Sequence, residues 1–300
     1  MFIIKHRGLF FGITGAIVAA SIISLIAFGL RLGTDFTGGT LAQASYSAGR
    51  PVPQMLEKSL NAAGFSDYSL REAGADDYIL RTGALTAPMR AGLAKTLSVD
   101  GRAASIAQLT EVGPTIGAEL RGKALVALAL VLVCILLFIA FAFRKVSNPV
   151  SSWVYGLIAL VTLVHDVVVP VGFYALLGYL TGAQVDTLFV TAVLTVLGFS
   201  IHDTIVVFDR VRENLRVNHD RNRKEPFAET AGHSLRQTFV RSINTSFTVL
   251  LTLAILYFFG PVSTRVFSLT LLVGIIAGTY SSIFLATPLL VEVARRQKGN

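Results

Sequence analysis

The sequence holds one cysteine, Cys134, one tryptophan, and charged side chains at only 15% of its 300 positions. Each scarcity excludes something. A lone thiol permits no intrachain disulfide and no thiolate metal cluster. A soluble surface of ordinary composition carries about 25% charged residues, so this chain has too few to wet a globule of its length on every side. The chain also lacks HExxH, GxSxG and a Walker lysine loop, which removes the common zinc-hydrolase, α/β-hydrolase and P-loop readings. No collagenous, glutamine-rich or acidic low-complexity tract interrupts it.

What is present is apolar. Hydrophobic residues make up 53% of the chain, mean hydropathy is +0.65, and the apolar residues gather into blocks of about twenty, the length that crosses a hydrocarbon core. Six spans are predicted, at Leu9–Leu30, Ala124–Phe143, Trp153–Leu176, Val185–Phe208, Phe239–Phe259 and Val266–Leu290. Net charge is +8, but Lys and Arg cluster beside alternate span ends: Lys5 and Arg7, Arg144 and Lys145, the segment 210–236, and Arg295, Arg296 and Lys298. Membrane topology explains that distribution better than a nucleic-acid partner does, and the positive-inside rule puts both termini in the cytoplasm. Lys5, His6 and Arg7 ahead of the first block have a signal peptide's charge order, yet the block is long and no small-residue cleavage site follows, so an uncleaved anchor is expected.

The expected domains are 1–31 (N-terminus and first span), 32–121 (an extracytoplasmic domain) and 122–300 (spans two to six, with a cytoplasmic loop over 209–238). Residues 32–121 mix charges of both signs as a soluble surface does. Strands near Thr40–Tyr46, Tyr68–Glu72, Tyr78–Thr82 and Ala104–Val112, with helices near Val52–Ala63 and Pro88–Leu97, give the order β-α-β-β-α-β. The predicted fold class is an α-helical integral membrane protein with one ferredoxin-like α+β domain between helices one and two.

Ionisable residues inside spans carry the chemical signal, because even insertion scales charge about 2.5–3.5 kcal/mol for a charge at a helix centre. The candidates are His165 and Asp166 in span three, His202 and Asp203 in span four, and Arg241 at the head of span five. At 1.5 Å per residue Asp203 lies roughly 9 Å deep and Arg241 roughly 6 Å deep, so a contact between them is allowed. Thr187, Thr191, Thr195, Gly198 and His202 share an arc of about 80° on span four, and Arg241, Thr245, Thr248 and Thr252 form a ladder on span five. Two such faces can line a hydrated path for a proton carried by a carboxylate. They also fit plain helix-packing surfaces, and Asp203 with Arg241 also fits a static ion pair. Gly274 and Gly278 give the GxxxG packing pattern. Adjacent His and Asp point about 100° apart on a helix, so the two His-Asp pairs make poor chelates and no metal site is expected.

The run GFSIHDTIVVFDRVREN from Gly198 to Asn214 strongly resembles the fourth-span signature of the SecF family of protein-export membrane subunits. LGTDFTGGT, with Asp35, Gly38 and Gly39, is similar to the family's motif after the first span. Gly113 and Pro114 with Gly117–Leu120 match its motif before the second, and RSINTS from Arg241 matches its fifth-span arginine motif. Asp209, Arg210, Glu213 and Asn214 close the fourth-span signature. The resemblance places the chain in the resistance-nodulation-division superfamily. It implies a heterodimer with a SecD-like paralogue in the bacterial inner membrane, acting with the SecYEG channel and SecA on a translocating preprotein. By the same resemblance Asp203 and Arg241 occupy positions implicated in proton transport, which drives late steps of export. The family usually has asparagine where this chain has His202, which adds an imidazole beside the carboxylate. No cofactor and no enzymatic reaction are implied. Half of a small-molecule efflux transporter and a non-transporting scaffold are the competing readings.

Overall fold

The computed structural model describes residues 2–65, 68–144 and 150–298; Lys145 lies outside them. The chain begins with a short α1 (Phe2–Lys5) and the apolar α2 (Arg7–Phe28). A single turn, α3 (Thr34–Thr37), leads into β1 (Gly39–Ser45), α4 (Pro53–Ala62), β2 (Tyr68–Ala73), β3 (Asp77–Thr82), α5 (Ala87–Leu97) and β4 (Ser105–Val112). Long helices follow: α6 (Pro114–Ala142), α7 (Ser152–Thr181), α8 (Thr187–Asp220), α9 (Phe227–Phe259) and α10 (Val262–Ser281). A π-helical turn at Ser282–Ala286 joins α10 to α11 (Thr287–Lys298). Among the described residues six helical stretches are long and apolar enough to cross a membrane, the sixth running Thr264–Gln297 through that turn.

The four strands form one antiparallel sheet in the order β2-β3-β1-β4. That order, with α4 and α5 as crossovers, is the predicted ferredoxin-like arrangement. Alternation builds its core: Ala42, Ala44 and Tyr46 from β1 and its end meet Tyr78 and Leu80 of β3, Leu56 and Leu60 of α4, and Leu93 and Leu97 of α5. The two buried tyrosines keep their hydroxyls satisfied, Tyr46 donating to the Leu97 carbonyl at 2.9 Å and Tyr78 to that of Pro51 at 2.7 Å. Burial pushes the Tyr46 phenol up to about 12. The compact unit comprises Leu32–Val126 together with Gln184–Thr187. That last segment was not foreseen: Leu32 and Val185 form a parallel bridge, and Gly33 N–H donates to the Val185 carbonyl at 2.7 Å. Pairing at Val185 is why α8 begins at Thr187 rather than at the predicted Val185.

The second unit holds Met1–Arg31, Ala127–Ala183 and Leu188–Asn300. Its core includes Ile139 and Phe143 of α6 and its end, Tyr155, Ile158 and Leu163 of α7, Leu197 and Phe208 of α8, and Leu290 of α11. Gly274 and Gly278 let α10 close on α8: a Cβ on Gly274 would meet the Val196 side chain, and one on Gly278 would lie 2.9 Å from Ser200 Cβ.

One expectation changes form. The loop expected over 209–238 is the extension of α8 to Asp220 and of α9 from Phe227, with only Arg221–Pro226 between them. Its charges pair along the helix: Asp209 with Arg212, and Arg210 with Glu213 at 2.9 Å. A charged helical hairpin has the same composition as a polar loop, and these i,i+3 pairs are what favour helix.

Candidate functional site

Asp203 lies on α8, 4% exposed, and its Oδ2 accepts no hydrogen bond. The side chains that act on it are Ser242 and Arg241 of α9 and its neighbour His202. Ser242 is buried with its hydroxyl beside the carboxylate. Arg241 and His202 are exposed on this chain's surface. Among the described residues no ion pair within 4.0 Å joins Asp203 to Arg241. The contact that helix geometry allows is therefore not a closed salt bridge. The site thus sets a buried carboxylate beside a serine hydroxyl, with a guanidinium and an imidazole acting on it through charge.

The hydroxyl face of α9 sits in a register the sequence reading did not choose. Thr245, Thr248 and Thr252 are exposed, and two of them turn their hydroxyls onto their own helix, Thr248 to the Thr245 carbonyl and Thr252 to that of Thr248. The buried column is Thr230, Ser234, Thr238, Ser242 and Ser246, where Ser246 accepts from Thr279 of α10 at 2.6 Å. Both registers obey the same four-residue spacing, so periodicity alone does not decide between them. On α8, Thr191, Thr195, Gly198 and His202 are likewise exposed, and Thr195 donates to the Thr191 carbonyl.

His165 and Asp166 form a separate centre. Asp166 is 0% exposed. Its Oδ1 accepts from His165 Nδ1 at 2.8 Å, and its Oδ2 accepts from the hydroxyls of Ser200 on α8 and Ser281 on α10, the latter at 2.9 Å. Among the described residues the His165 Nε2 has no hydrogen-bond partner, and the ring borders a small cavity with Ile17, Val273 and Tyr280. Ser282 of the π-helical turn bonds Thr204 at 2.8 Å one helical step away. Ser200, Ser281 and Ser282 were missed by sequence reading. A serine in a span is common packing material, and only the π turn, which periodicity does not register, aims two successive serines at α7 and α8.

The remaining motif residues are spread over both units. Asn214 donates to Ser234 at 2.8 Å and to Gln237 at 3.0 Å, holding the α8–α9 hairpin. Asp35 Oδ2 accepts the Thr187 amide at 2.9 Å and the Thr187 hydroxyl at 2.8 Å. Gly38 and Gly39 adopt φ of 80° and 128°, and a Cβ on Gly38 would come within 2.8 Å of Pro114, next to Gly113. Among the described residues no group of three His, Cys, Asp or Glu side chains converges on a metal position.

Residues 93–296 match the family described as protein export membrane protein SecD/SecF, C-terminal, and residues 23–49 match the SecD/SecF GG motif. The chain belongs to the SecD/SecF family. It is 42% identical to the protein translocase subunit SecF of Thermobaculum terrenum, over 97% of this chain and 93% of that one. It also resembles the crystal structure of SecDF, a translocon-associated membrane protein from Thermus thermophilus, with TM-score 0.84 at 30% identity. A crystal structure of SecDF in a super-membrane-facing form matches less closely, with TM-score 0.67 at 31% identity. Each SecDF match covers 98% of this chain; the chain spans 38% of the first SecDF chain and 39% of the second. The chain thus spans nearly the whole of the SecF relative and about two fifths of the SecDF chains it matches.

Proposed function

We propose that this chain is the SecF-type half of an accessory complex of Sec protein translocation, working with a SecD-like paralogue to couple the proton motive force to late steps of preprotein export. It acts beside the SecYEG channel after SecA, in the bacterial inner membrane. Both termini are cytoplasmic and the small α+β domain is extracytoplasmic, as the basic flanks of the spans require. The observation that carries the coupling is Asp203: a carboxylate buried inside a lipid-spanning helix, with one oxygen unpartnered and no ion pair to neutralise it among the described residues. Such a group costs several kcal/mol to keep ionised and unpaired, so it serves best as a site that takes up a proton and releases it.

The residues divide the work. Asp203 is the carrier; Arg241, approaching from α9, favours the charged form; His202 is a second titratable group at the entrance. Uptake removes the attraction between Asp203 and Arg241, and release restores it, which biases α8 and α9 between two arrangements. Thr187, Thr191, Thr195, Thr245 and Thr248 line the approach on the faces this chain leaves uncovered, where the paralogue packs. Their exposure supports that placement, because a polar stripe on adjoining spans suits a protein partner or confined water better than lipid. Asp166 and His165 hold α7, α8 and α10 in register and form a reserve proton site behind the carrier.

The test uses the full complex in vesicles, following proton flux and preprotein export together. Asp203→Asn is expected to lower gradient-stimulated export by at least tenfold while leaving gradient-independent export intact. Unchanged coupling would remove Asp203 from the path.

A further inference from the structure

The motif after the first span has so far only a place in the small domain, and its geometry gives it a task. Leu32 and Gly33 pair with Val185, Arg81 of β3 donates to Gln184 at 2.6 Å, and Asp35 takes both the amide and the hydroxyl of Thr187 on one oxygen. Thr187 is the first residue of α8, so its amide is one of the donors that a helix leaves without an intrahelical acceptor. That amide therefore finds its acceptor on α3, more than a hundred positions earlier in the chain. A Cβ on Gly33 would come within 2.8 Å of the Val185 carbonyl. The close approach that permits this docking is thus written into the motif as well.

The same seven-residue turn holds two further elements. A Cβ on Gly39 would lie 2.5 Å from the Thr82 carbonyl of β3, and a Cβ on Gly117 of α6 would lie 2.9 Å from the Gly38 nitrogen. Gly33 to Gly39 is thus a node where the sheet, the start of α6 and the first turn of α8 meet. From Thr187, α8 continues unbroken to Asp203, about 24 Å along its axis at 1.5 Å per residue.

We infer that Asp35 is a positioning residue for proton coupling: by capping α8 from within the small domain, it makes a displacement of that domain and a displacement of the Asp203 helix one event. This rests on the role proposed for Asp203. A static fold gains little from a cap supplied at such sequence distance, because Asp186 already occupies the position from which helices are ordinarily capped. A linkage that must transmit movement gains a short, rigid, charge-assisted contact. Asp35 acts as an acceptor for an N–H, not as a proton carrier, and that distinction decides the test.

Asp35→Ala, Asp35→Asn and Asp35→Ser are compared in the full complex in vesicles. Asparagine and serine can still accept the Thr187 amide, whereas alanine cannot. Hydrogen exchange of the first-turn amides of α8 is expected to rise about tenfold in Asp35→Ala, and gradient-driven export to fall at least threefold. Asp35→Asn and Asp35→Ser are expected to stay within about twofold of the parent on both. Thr187→Pro removes the amide donor at a position where proline suits a helix, so it should copy Asp35→Ala, and the double variant should be no worse than either single one. Export lost equally in Asp35→Asn, Asp35→Ser and Asp35→Ala would overturn the inference in favour of a charge or proton role. So would full export in Asp35→Ala, or Thr187→Pro and Asp35→Ala losses that simply add. An Asp203→Asn complex in the same series separates the two claims: if it exports normally, the carrier reading fails, while hydrogen exchange still reports whether the cap exists.

Discussion

Three carboxylates set the character of this chain, and each is partnered differently. Asp166 accepts from three donors and is sealed; Asp35 caps a helix; Asp203 keeps an oxygen free. The contrast predicts opposite phenotypes for the two intramembrane residues. Asp166→Ala leaves the His165 nitrogen and the Ser200 hydroxyl without their acceptor and Ser281 with only the Gly278 carbonyl, at a cost on the order of 3 kcal/mol, while Asp166→Asn keeps an acceptor oxygen and costs clearly less. Unfolding of the purified protein in mixed detergent micelles should rank them in that order. Asp203→Asn, by contrast, should unfold with the parent, since no hydrogen bond to its Oδ2 is lost. Equal destabilisation by Asp166→Ala and Asp166→Asn would show that hydrogen bonding at that centre is not what stabilises it.

Among elements, the α8–α9 hairpin has its own pH response. Glu225, just before α9, accepts from Thr230 at 2.8 Å and Asn218 at 2.7 Å, and these bonds, with His233 and Arg223 nearby, hold its carboxyl below the usual glutamate range. A depressed carboxylate contributes stability above its unfolded value, about 4.3, and that contribution is lost as pH falls through the lower folded value. Hydrogen exchange across 218–230 should therefore accelerate on acidification below that range in the parent. In Glu225→Gln it should be faster already at neutral pH, with a flatter acid response. A parent and variant that respond to acid alike would exclude Glu225 as the cause.

Most of these elements were legible in the sequence. The six apolar blocks and the βαββαβ order follow from period and length, and observed strand ends such as Gly39–Ser45 and Asp77–Thr82 lie within a residue of those predicted. What was not legible has a common cause. Which face of α9 is buried, Ser242 and Ser246 rather than Thr245 and Thr248, depends on where α10 and α8 sit, and both faces carry hydroxyls at equal spacing. The π turn at Ser282–Ala286 shifts the register of the last span by one residue, and hydropathy does not respond to a single extra residue. Gln184–Thr187 joins the small domain through backbone pairing at Leu32 and Val185, which leaves no side-chain pattern to read.

At the scale of the whole molecule, this chain spans 38% of one SecDF chain to which it is similar. The exposed polar faces of α8 and α9 are the surfaces on which the proposed function places the paralogue. The central claim is that Asp203 changes protonation when a proton gradient is applied. Isotope-edited infrared difference spectroscopy of the reconstituted complex measures this directly, through the carbonyl stretch of a protonated aspartic acid. The account predicts a band that appears and disappears with the imposed gradient, is absent in Asp203→Asn and persists in Asp166→Asn. A spectrum in which Asp203 holds one protonation state whatever the gradient would contradict it.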